Sequence, residues 1–394
     1  MKNVAVMVPY LNSGGAERMA ANLSLELEKK YHVYMIVFTD ENITYEYGGE
    51  LLNVQIPPIS ENDMRRRICN TLKRARIVRK MKKKYRIDCT ISNMEGANLV
   101  NILSGGKAIS VYHSMPSQKM ARSKYNLFMQ KFISKFSDKY VFVSKLAEHD
   151  AVHSFEVDKN RTAAIYNFCD VKKQMQQAEC ELEDQAAQNF FAHHEQVFVN
   201  MGRLLKLKGQ RHFIKAFAEV KNKYPNSGIM ILGEGEEEEN LKKLAKTLGL
   251  EQDVFMPGNV KNPFPYLKRA NAFVLSSEHE GLPMVLIEAA SCGCPVISTD
   301  MPSGAREVLA PDTDILYVAT EKEYGKYGIL VPVCKEESEY LTAEEQILAD
   351  AMVEILENHE LRETYIAKSQ ECVDRFSAEN VVNQWIELME GKNA

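Results

Sequence analysis

Residues 272–300, AFVLSSEHEGLPMVLIEAASCGCPVISTD, decide the fold of this chain. The apolar segments at the two ends predict strands, and the middle predicts a helix with Pro283 at its first position and Gly293 just past its end. The stretch therefore predicts a strand, a loop, a helix and a second strand. Glu280 lies in the loop, and Glu288 lies eight positions on, a little over one turn into the helix.

A loop that leaves the C-terminal end of a parallel strand is where α/β proteins bind ligands. The helix N-terminus beside such a loop offers free N–H groups and a partial positive charge to an anion. A carboxylate in the loop can therefore bind a neutral polar group, while the helix end beside it binds an acidic group of the same ligand. A sugar joined to a diphosphate combines both properties.

Length and composition indicate a soluble protein of two domains, because 394 residues are enough for two cores and the chain is 45% hydrophobic and 26% charged. No run approaches the roughly 20 apolar residues of a membrane-spanning helix, and the apolar run at 4–8 is too short for a signal peptide. We therefore expect a cytoplasmic protein. The pair Cys292-Gly-Cys294 lacks the C-x-x-C spacing of metal and redox sites, and we expect both thiols to be core residues.

The net charge of −5 is unevenly distributed along the chain. Residues 1–170 carry 26 basic and 17 acidic side chains, a balance of +9, and the remainder carries 23 and 37, a balance of −14. This asymmetry predicts that only the first domain faces an acidic surface or substrate.

The first half alternates buried-type strands with helical patterns. Strands are predicted at 4–8, 33–38, 88–92, 108–112 and 140–144, and this alternation predicts a doubly wound parallel sheet. After the first strand, Gly14 and Gly15 lie in a loop that opens a helix, where glycine lets the backbone approach a ligand. A plain tight turn is the alternative interpretation of this glycine pair.

The segment 65–86 is a strongly basic amphipathic helix, with an apolar strip and a wide cationic remainder. It is either a solvated surface helix or a contact for anionic lipid headgroups or a polyanionic acceptor. Nucleic acid is not expected as a partner, because the segment contains no recognised nucleic-acid-binding motif. A second mixed basic helix is predicted at 119–139. The membrane or acceptor contacts predicted in 65–86 are Arg79, Lys80, Lys82, Lys83 and Lys84.

The second half begins after a Gln/Glu/Ala-rich stretch at 171–196, which we interpret as an interdomain segment with a surface helix. A second parallel sheet is then predicted, and the last helix, at 378–389, is expected to pack back on the first domain. The predicted domains are 1–170, which binds the acceptor, 171–375, which binds the donor, and the C-terminal helical segment 376–394. The strands predicted for the second sheet are 197–201, 228–232, 254–256, 272–275, 295–298 and 328–331.

Two cations follow the strand that ends at Met201. Arg203 and Lys208 can both point toward phosphates at the strand end, where a guanidinium and an ammonium form a common diphosphate clamp. Surface charge is the alternative interpretation of such a pair. Gly233-Glu234-Gly235 follows another strand, but it lacks the third glycine of the dinucleotide motif. His113 lies at the C-terminal end of the strand at 108–112.

In this order, these residues resemble the retaining glycosyltransferases of family four, and the resemblance spans nearly the whole chain. It implies the GT-B fold, in which two Rossmann-like, doubly wound parallel-sheet α/β domains face each other across a cleft. The residues that carry it are Gly14-Gly15-Ala16-Glu17, His113, Val143-Ser144, Asn167, Gly202-Arg203, Lys208-Gly209, Gly233-Glu234-Gly235 and the segment from Glu280 to Glu288.

The resemblance also implies a role for each site residue. Four are catalytic by this comparison: His113 contacts the transferred sugar, Arg203 and Lys208 hold the diphosphate, and Glu280 binds hydroxyls of the donor sugar. Glu288 is expected to hold the ribose. The remaining donor-binding residues are Gly14 and Gly15 at the diphosphate, Gly281 and Leu282 with backbone N–H groups, and Gly235 and Val260 at the base.

The donor implied by the resemblance is a nucleotide sugar, a UDP-sugar in our interpretation, and no metal cofactor is expected. Retention of configuration by front-face attack is also implied. The segment Ser303-Gly304-Ala305-Arg306 is similar to that of bacterial enzymes that build surface polysaccharides. This similarity implies a hexosyltransferase whose acceptor is a glycan or a polyprenyl-diphosphate-linked glycan. Such an enzyme is expected to be a peripheral protein at the inner face of the membrane. A UDP-sugar epimerase of the same fold and a non-catalytic accessory protein are the alternatives.

Overall fold

The computed structural model describes residues 1–12, 14–59, 63–115, 117, 135–302, 304–335 and 338–391. It divides into two compact units, one formed by Met1–Cys169 with Ala378–Ala394 and the other by Asp170–Ser377. Most of the helix predicted at 119–139, as well as Ser303, lies outside the described residues. None of the described helices combines the length and apolar content that a membrane span requires.

The first unit is built on a seven-stranded sheet of order β3-β2-β1-β4-β5-β6-β7, in which every neighbouring pair is parallel. The central strands are buried on both faces, as parallel sheets covered by helices require. The short edge strands β3 and β7 were not predicted. The strands are β1 Asn3–Val8, β2 His32–Val37, β3 Glu50–Asn53, β4 Cys89–Asn93, β5 Lys107–Tyr112, β6 Lys139–Phe142 and β7 Thr162–Ala164.

The described helices of the first unit include the last helix of the chain. Trp385 of this helix is 2% exposed. Near its end, Lys107 donates to the Met389 carbonyl at 2.8 Å, and the Tyr31 hydroxyl lies 3.1 Å from the Glu390 carboxylate. The helices are α1 Gly15–Glu28, α2 Met64–Lys84, α3 Glu95–Ser104, α4 Lys145–Phe155 and, at the end of the chain, α14 Ala378–Glu390.

The basic helix α2 uses several of its cations inside the unit. Lys82 is 8% exposed and donates to Asn101 and to the Gly105 carbonyl, and Arg79 donates to the Leu103 and Ser104 carbonyls. These carbonyls lie at the C-terminal end of α3, where unpaired acceptors and the helix dipole favour cations.

This arrangement corrects the prediction that all five cations of α2 face an outside partner. Burial lowers the pKa of Lys82 to about 8, and its ammonium is enclosed by the unit. The Arg79 guanidinium also donates to α3, but its side chain is exposed, so its predicted outside contact stays a prediction. Lys80, Lys83 and Lys84 are exposed.

The second unit has a seven-stranded sheet of order β10-β9-β8-β11-β12-β14-β13, parallel except for β13 against β14. The two-residue strand β13 was not predicted, because so short a segment shows no periodicity. The strands are β8 Gln196–Met201, β9 Ser227–Leu232, β10 Val254–Gly258, β11 Ala272–Leu275, β12 Val296–Thr299, β13 Glu323–Tyr324 and β14 Ile329–Val331.

The stretch 171–196 belongs to the second unit, which corrects its interpretation as an interdomain segment. It contains two helices, and the first of them packs on α9 and α10 of that unit. Tyr266 also donates to Asp184 at 3.2 Å. The helices are α5 Val171–Ala178, α6 Gln185–His193, α7 Gln210–Lys223, α8 Glu238–Thr247, α9 Phe264–Arg269, α10 Met284–Ser291, α11 Ala305–Leu309, α12 Ala343–Glu357 and α13 His359–Asp374.

Each sheet has a point where the strand order reverses direction. In the first unit it lies between β1 and β4, and in the second between β8 and β11. Loops at the C-terminal ends of strands on either side of such a point leave a crevice for ligands. The sheet topology therefore predicts that ligands bind at the loops after these four strands.

Candidate functional site

In the second unit, the loops after β8 and β11 are held together by a charged pair. The Lys208 ammonium lies 2.5 Å from Glu280 Oε1, and the two side chains are 19% and 15% exposed. The Ser277 hydroxyl also donates to Glu280 at 3.0 Å. The structure thus brings together two residues that the sequence places 72 positions apart and to which we had assigned separate ligand groups.

The same two loops touch main chain to main chain. Gly209 has a φ of +63°, and a Cβ built on it would lie 2.1 Å from the Ser276 carbonyl oxygen. The Glu278 N–H donates to the Leu207 carbonyl at 2.9 Å, and the Ser276 hydroxyl donates to the Lys208 carbonyl at 3.3 Å. Only glycine fits such an approach at a positive φ. The position of Lys208 relative to Glu280 is therefore fixed by the backbone.

The loop after β9 packs on the loop after β8 in the same way. A Cβ on Gly233 would lie 2.0 Å from the Gly202 carbonyl oxygen, and one on Gly235 would lie 2.2 Å from that of Leu204. These contacts require glycine at positions 233 and 235 for a structural reason. This requirement is separate from the predicted role of Gly235 at the base. Arg203 lies between these contacts with an exposed side chain, and within the described part of the chain its guanidinium has no ion-pair partner.

Val260 follows β10 and is partly buried. The preceding residue, Asn259, donates its N–H to Glu234 Oε1 at 3.3 Å, and the Gly233 N–H donates to the Gly258 carbonyl at 2.8 Å. The loop after β10 is therefore tied to the loop that carries Gly235. The two residues predicted to meet the base thus lie on adjoining loops.

Helix α10 begins one residue later than predicted. Pro283 is its N-cap, with φ −76° and ψ 86°, and Met284 is the first helical residue. Gly293, at φ +69°, lies just past the helix end, as predicted. Glu288 lies in the second turn and is 6% exposed. The backbone N–H groups of the first turn, near Gly281 and Leu282, form the anion-attracting end of this helix.

The start of α11 packs against the Glu280 loop. The Gly304 N–H donates to the Gly281 carbonyl at 3.1 Å, and a Cβ on Gly304 would lie 2.4 Å from Leu282 Cδ1. Leu282 is accordingly 7% exposed. These contacts hold the loop between Glu280 and α10 in one conformation.

In the first unit, Gly14 is the N-cap of α1 and Gly15 is its first residue. A Cβ on Gly14 would lie 2.1 Å from the Glu17 carboxylate, whereas a Cβ on Gly15 would meet no atom within 4 Å. The Gly14 N–H donates to the Tyr45 hydroxyl at 3.2 Å. Gly14 is therefore constrained by its own helix, and Gly15 borders open space.

His113 follows β5, and its Nε2 lies 2.9 Å from Asn93 Oδ1. Asn93 is the last residue of β4, is 2% exposed, and has no hydrogen-bond partner for Nδ2 among the described residues. Sequence reasoning missed Asn93 because the strand predicted at 88–92 stopped one residue short of it. A buried-type strand ending in an amide side chain at the sheet reversal was the available signal.

Comparison with known proteins identifies the family. Residues 13–173 match the family described as Glycosyltransferase Family 4, and residues 182–371 match Glycosyl transferases group 1. An uncharacterized glycosyltransferase of Methanocaldococcus jannaschii is 33% identical over 341 residues, which cover 81% of this chain and 83% of that protein. The chain belongs to glycosyltransferase family 4.

Two further comparisons cover nearly the full length of this glycosyltransferase. The N-acetylgalactosamine-N,N'-diacetylbacillosaminyl-diphospho-undecaprenol 4-alpha-N-acetylgalactosaminyltransferase of Campylobacter jejuni is 28% identical and covers 99% of the chain and 100% of that protein. The structure of HepE from Anabaena in complex with UDP-glucose superposes with a TM-score of 0.75 at 19% identity, over 99% of this chain and 100% of HepE. The latter similarity confirms the GT-B fold of this glycosyltransferase.

Proposed function

We propose that this glycosyltransferase transfers a hexose unit from a UDP-sugar to a hydroxyl of a glycan carried on a polyprenyl diphosphate, with retention of configuration, in cell-surface polysaccharide synthesis. The observation that carries the proposal is the Lys208–Glu280 pair at the reversal point of the second sheet. It places a cation for a diphosphate and an acceptor for sugar hydroxyls within one hydrogen-bonded unit.

The other side chains of the site fit the same donor. The exposed guanidinium of Arg203 and the first-turn N–H groups of α10 supply positive charge for the leaving diphosphate. In our proposal they take the place of a metal ion, Glu288 holds the ribose, and His113 contacts the transferred sugar.

Two relatives support this choice of donor and acceptor. HepE was solved with UDP-glucose, and the name of the Campylobacter jejuni enzyme specifies an undecaprenol-diphosphate-linked acceptor. A diphosphate-linked acceptor also agrees with the basic balance of residues 1–170.

The experiment that tests the proposal is a panel of UDP-, GDP- and ADP-sugars assayed with and without a polyprenyl-diphosphate-linked acceptor, in the presence of EDTA. We expect one UDP-hexose to raise the melting temperature and to release UDP, with faster release when acceptor is present. Formation of an epimerised sugar without any dependence on acceptor would identify an epimerase. Loss of transfer in EDTA would contradict the metal-independent part of the proposal.

We also propose that α2 carries the contact with an anionic membrane. Lys80, Lys83 and Lys84 are exposed, and Ile68 and Leu72, which are 47% and 42% exposed, lie one turn apart toward its N-terminal end. Exposed apolar residues on a cationic helix are typical of helices that lie in a membrane interface. The contact thus comprises the outward cations of α2 together with this apolar pair.

Charge reversal of Lys80, Lys83 and Lys84 to glutamate is expected to weaken binding to vesicles containing phosphatidylglycerol by at least about tenfold, since each basic residue near such a surface contributes about 1 kcal/mol. The loss should be larger at low salt, where screening is weaker. Reversal of the exposed Lys172, Lys173 and Lys243 of the second unit is the control. Equal vesicle binding by both triple variants would refute the contact.

A further inference from the structure

The second unit has an unusual exposed segment between α11 and β14. Leu316, Tyr317, Val318 and Tyr324 are each 50–53% exposed within nine residues, although side chains of this kind are ordinarily buried. An open cleft of about 870 Å³ lies over this segment and is lined by both tyrosine rings, Leu316 and several polar side chains. We refer to it as the Tyr317 cleft. Its volume lies within the range of about 300–1,000 Å³ of ligand sites.

Arg306 forms the floor of the Tyr317 cleft. It is 2% exposed and donates to Asp300 at 2.6 Å, to Glu323 at 2.7 Å and to Thr313 at 2.9 Å. Its guanidinium carbon lies 4.9 Å from the centre of the Tyr317 ring. One buried cation therefore fixes β12, β13 and the Tyr317 ring relative to one another, so the exposed segment is held in place.

The cleft presents acceptors and aromatic rings but little available positive charge. Arg306 is neutralised by Asp300 and Glu323, and Lys322 pairs with Glu354 at 3.2 Å. Asp314 and Glu321 also line the cleft, and both are exposed. This balance disfavours phosphates, nucleotides and anionic lipid headgroups, because they would meet like charge.

A neutral sugar chain fits these features. Its hydroxyls can donate to Asp314, Glu321 and the threonine hydroxyls, and the C–H faces of its rings can pack on Tyr317 and Tyr324. Rigid aromatic rings combined with a few placed polar groups are typical of small-ligand sites. We propose that the Tyr317 cleft is a second carbohydrate-binding site, which takes a neutral oligosaccharide. The ligand class follows from the chemistry of the cleft, whereas a role in holding the acceptor glycan rests on the proposed function.

The test measures binding of chitotriose and maltotriose to the full-length protein by saturation-transfer NMR. Replacing both Tyr317 and Tyr324 with alanine is expected to weaken binding of the preferred trisaccharide by about tenfold, which corresponds to the loss of aromatic packing. The matched control is Tyr340→Ala, since Tyr340 is 81% exposed in the same unit but does not line the cleft. Glu321→Ala, which leaves both rings in place, should weaken binding several-fold.

The outcomes separate the cleft from the donor site. Unchanged donor hydrolysis in the double tyrosine variant, with weakened trisaccharide binding, supports the cleft. A different result would support the cleft and refute the proposed function. In that result, Lys208→Ala still binds the trisaccharide, and the unaltered protein hydrolyses no nucleotide sugar. The inference is overturned if neither trisaccharide binds, if the double variant binds as well as the control, or if the tyrosines instead mediate self-association or salt-sensitive binding of polylysine.

Discussion

Replacing Lys208 with alanine is expected to reduce sugar transfer about 10²–10³-fold, the usual cost of removing one group that stabilises developing charge. Lys208 lies 2.5 Å from Glu280, and in our proposal it meets the diphosphate as the bond to the sugar breaks. Glu280→Ala should reduce transfer to a similar extent. The measurement is the rate of transfer and of donor hydrolysis, together with the affinity for UDP.

The two variants should differ in UDP affinity. Loss of Lys208 removes a phosphate contact, so UDP binding should weaken, whereas loss of Glu280 removes a sugar contact and should leave UDP binding nearly intact. Lys206→Ala, in the same short helical turn, is the control for charge in this loop. Full transfer activity in either Lys208→Ala or Glu280→Ala would overturn the assignment of the site.

Replacing Lys215 with alanine is expected to destabilise the second unit by about 3–5 kcal/mol, the usual cost of leaving a buried charge without its partner. Lys215, on α7, donates to Glu345 of α12 at 2.6 Å, and His212 contacts the same carboxylate at 2.7 Å. Glu345 is fully buried, and Lys215 also donates to the Ser338 and Tyr340 carbonyls. Urea unfolding of the full-length protein measures the effect.

The matched control for Lys215 is Lys223→Ala, which removes another ion pair between the same two helices. Lys223 contacts Glu357, but both side chains are about half exposed, so the expected loss of stability is much smaller than that of Lys215→Ala. Equal losses in the two variants would show that burial does not determine the contribution of these pairs.

The pH dependence of stability provides a second measure of this cluster. Burial opposes ionisation of Glu345, but hydrogen bonds from His212 and Lys215 outweigh it and lower its pKa below the ordinary 4.5. The resulting stabilisation is fully present above about pH 4.5 and is lost as pH falls toward the lowered pKa. Lys215→Ala should reduce this dependence on acidic pH.

Much of the fold could be predicted because long apolar runs and turn residues mark its central elements. Strand β11 has the predicted bounds, and Gly293 lies just past α10 as predicted. The edge strands β3, β7 and β13 were missed because two to four residues with few apolar side chains carry no periodic signal.

The site was harder to predict because its geometry depends on tertiary contacts. The sequence identified Lys208 and Glu280 separately, but their ion pair requires the loops of two neighbouring strands to meet. The composition of α2 likewise showed many cations, yet only tertiary packing selects Lys82 and Arg74 as the buried ones among the described residues. The contact of Asn93 with His113 likewise joins the ends of two neighbouring strands, so the amide at the strand end was the one signal that the sequence could offer for it.

The glycine contacts of the second unit have a consequence for divergence among related enzymes. Gly209, Gly233 and Gly235 let three loops rest on one another through main-chain atoms. Side chains on these loops that do not contact the diphosphate can therefore be exchanged without moving the strands beneath them. We expect new donor preferences to arise by replacing such side chains, and substitutions at the three glycines to be rejected because any added carbon would separate the loops.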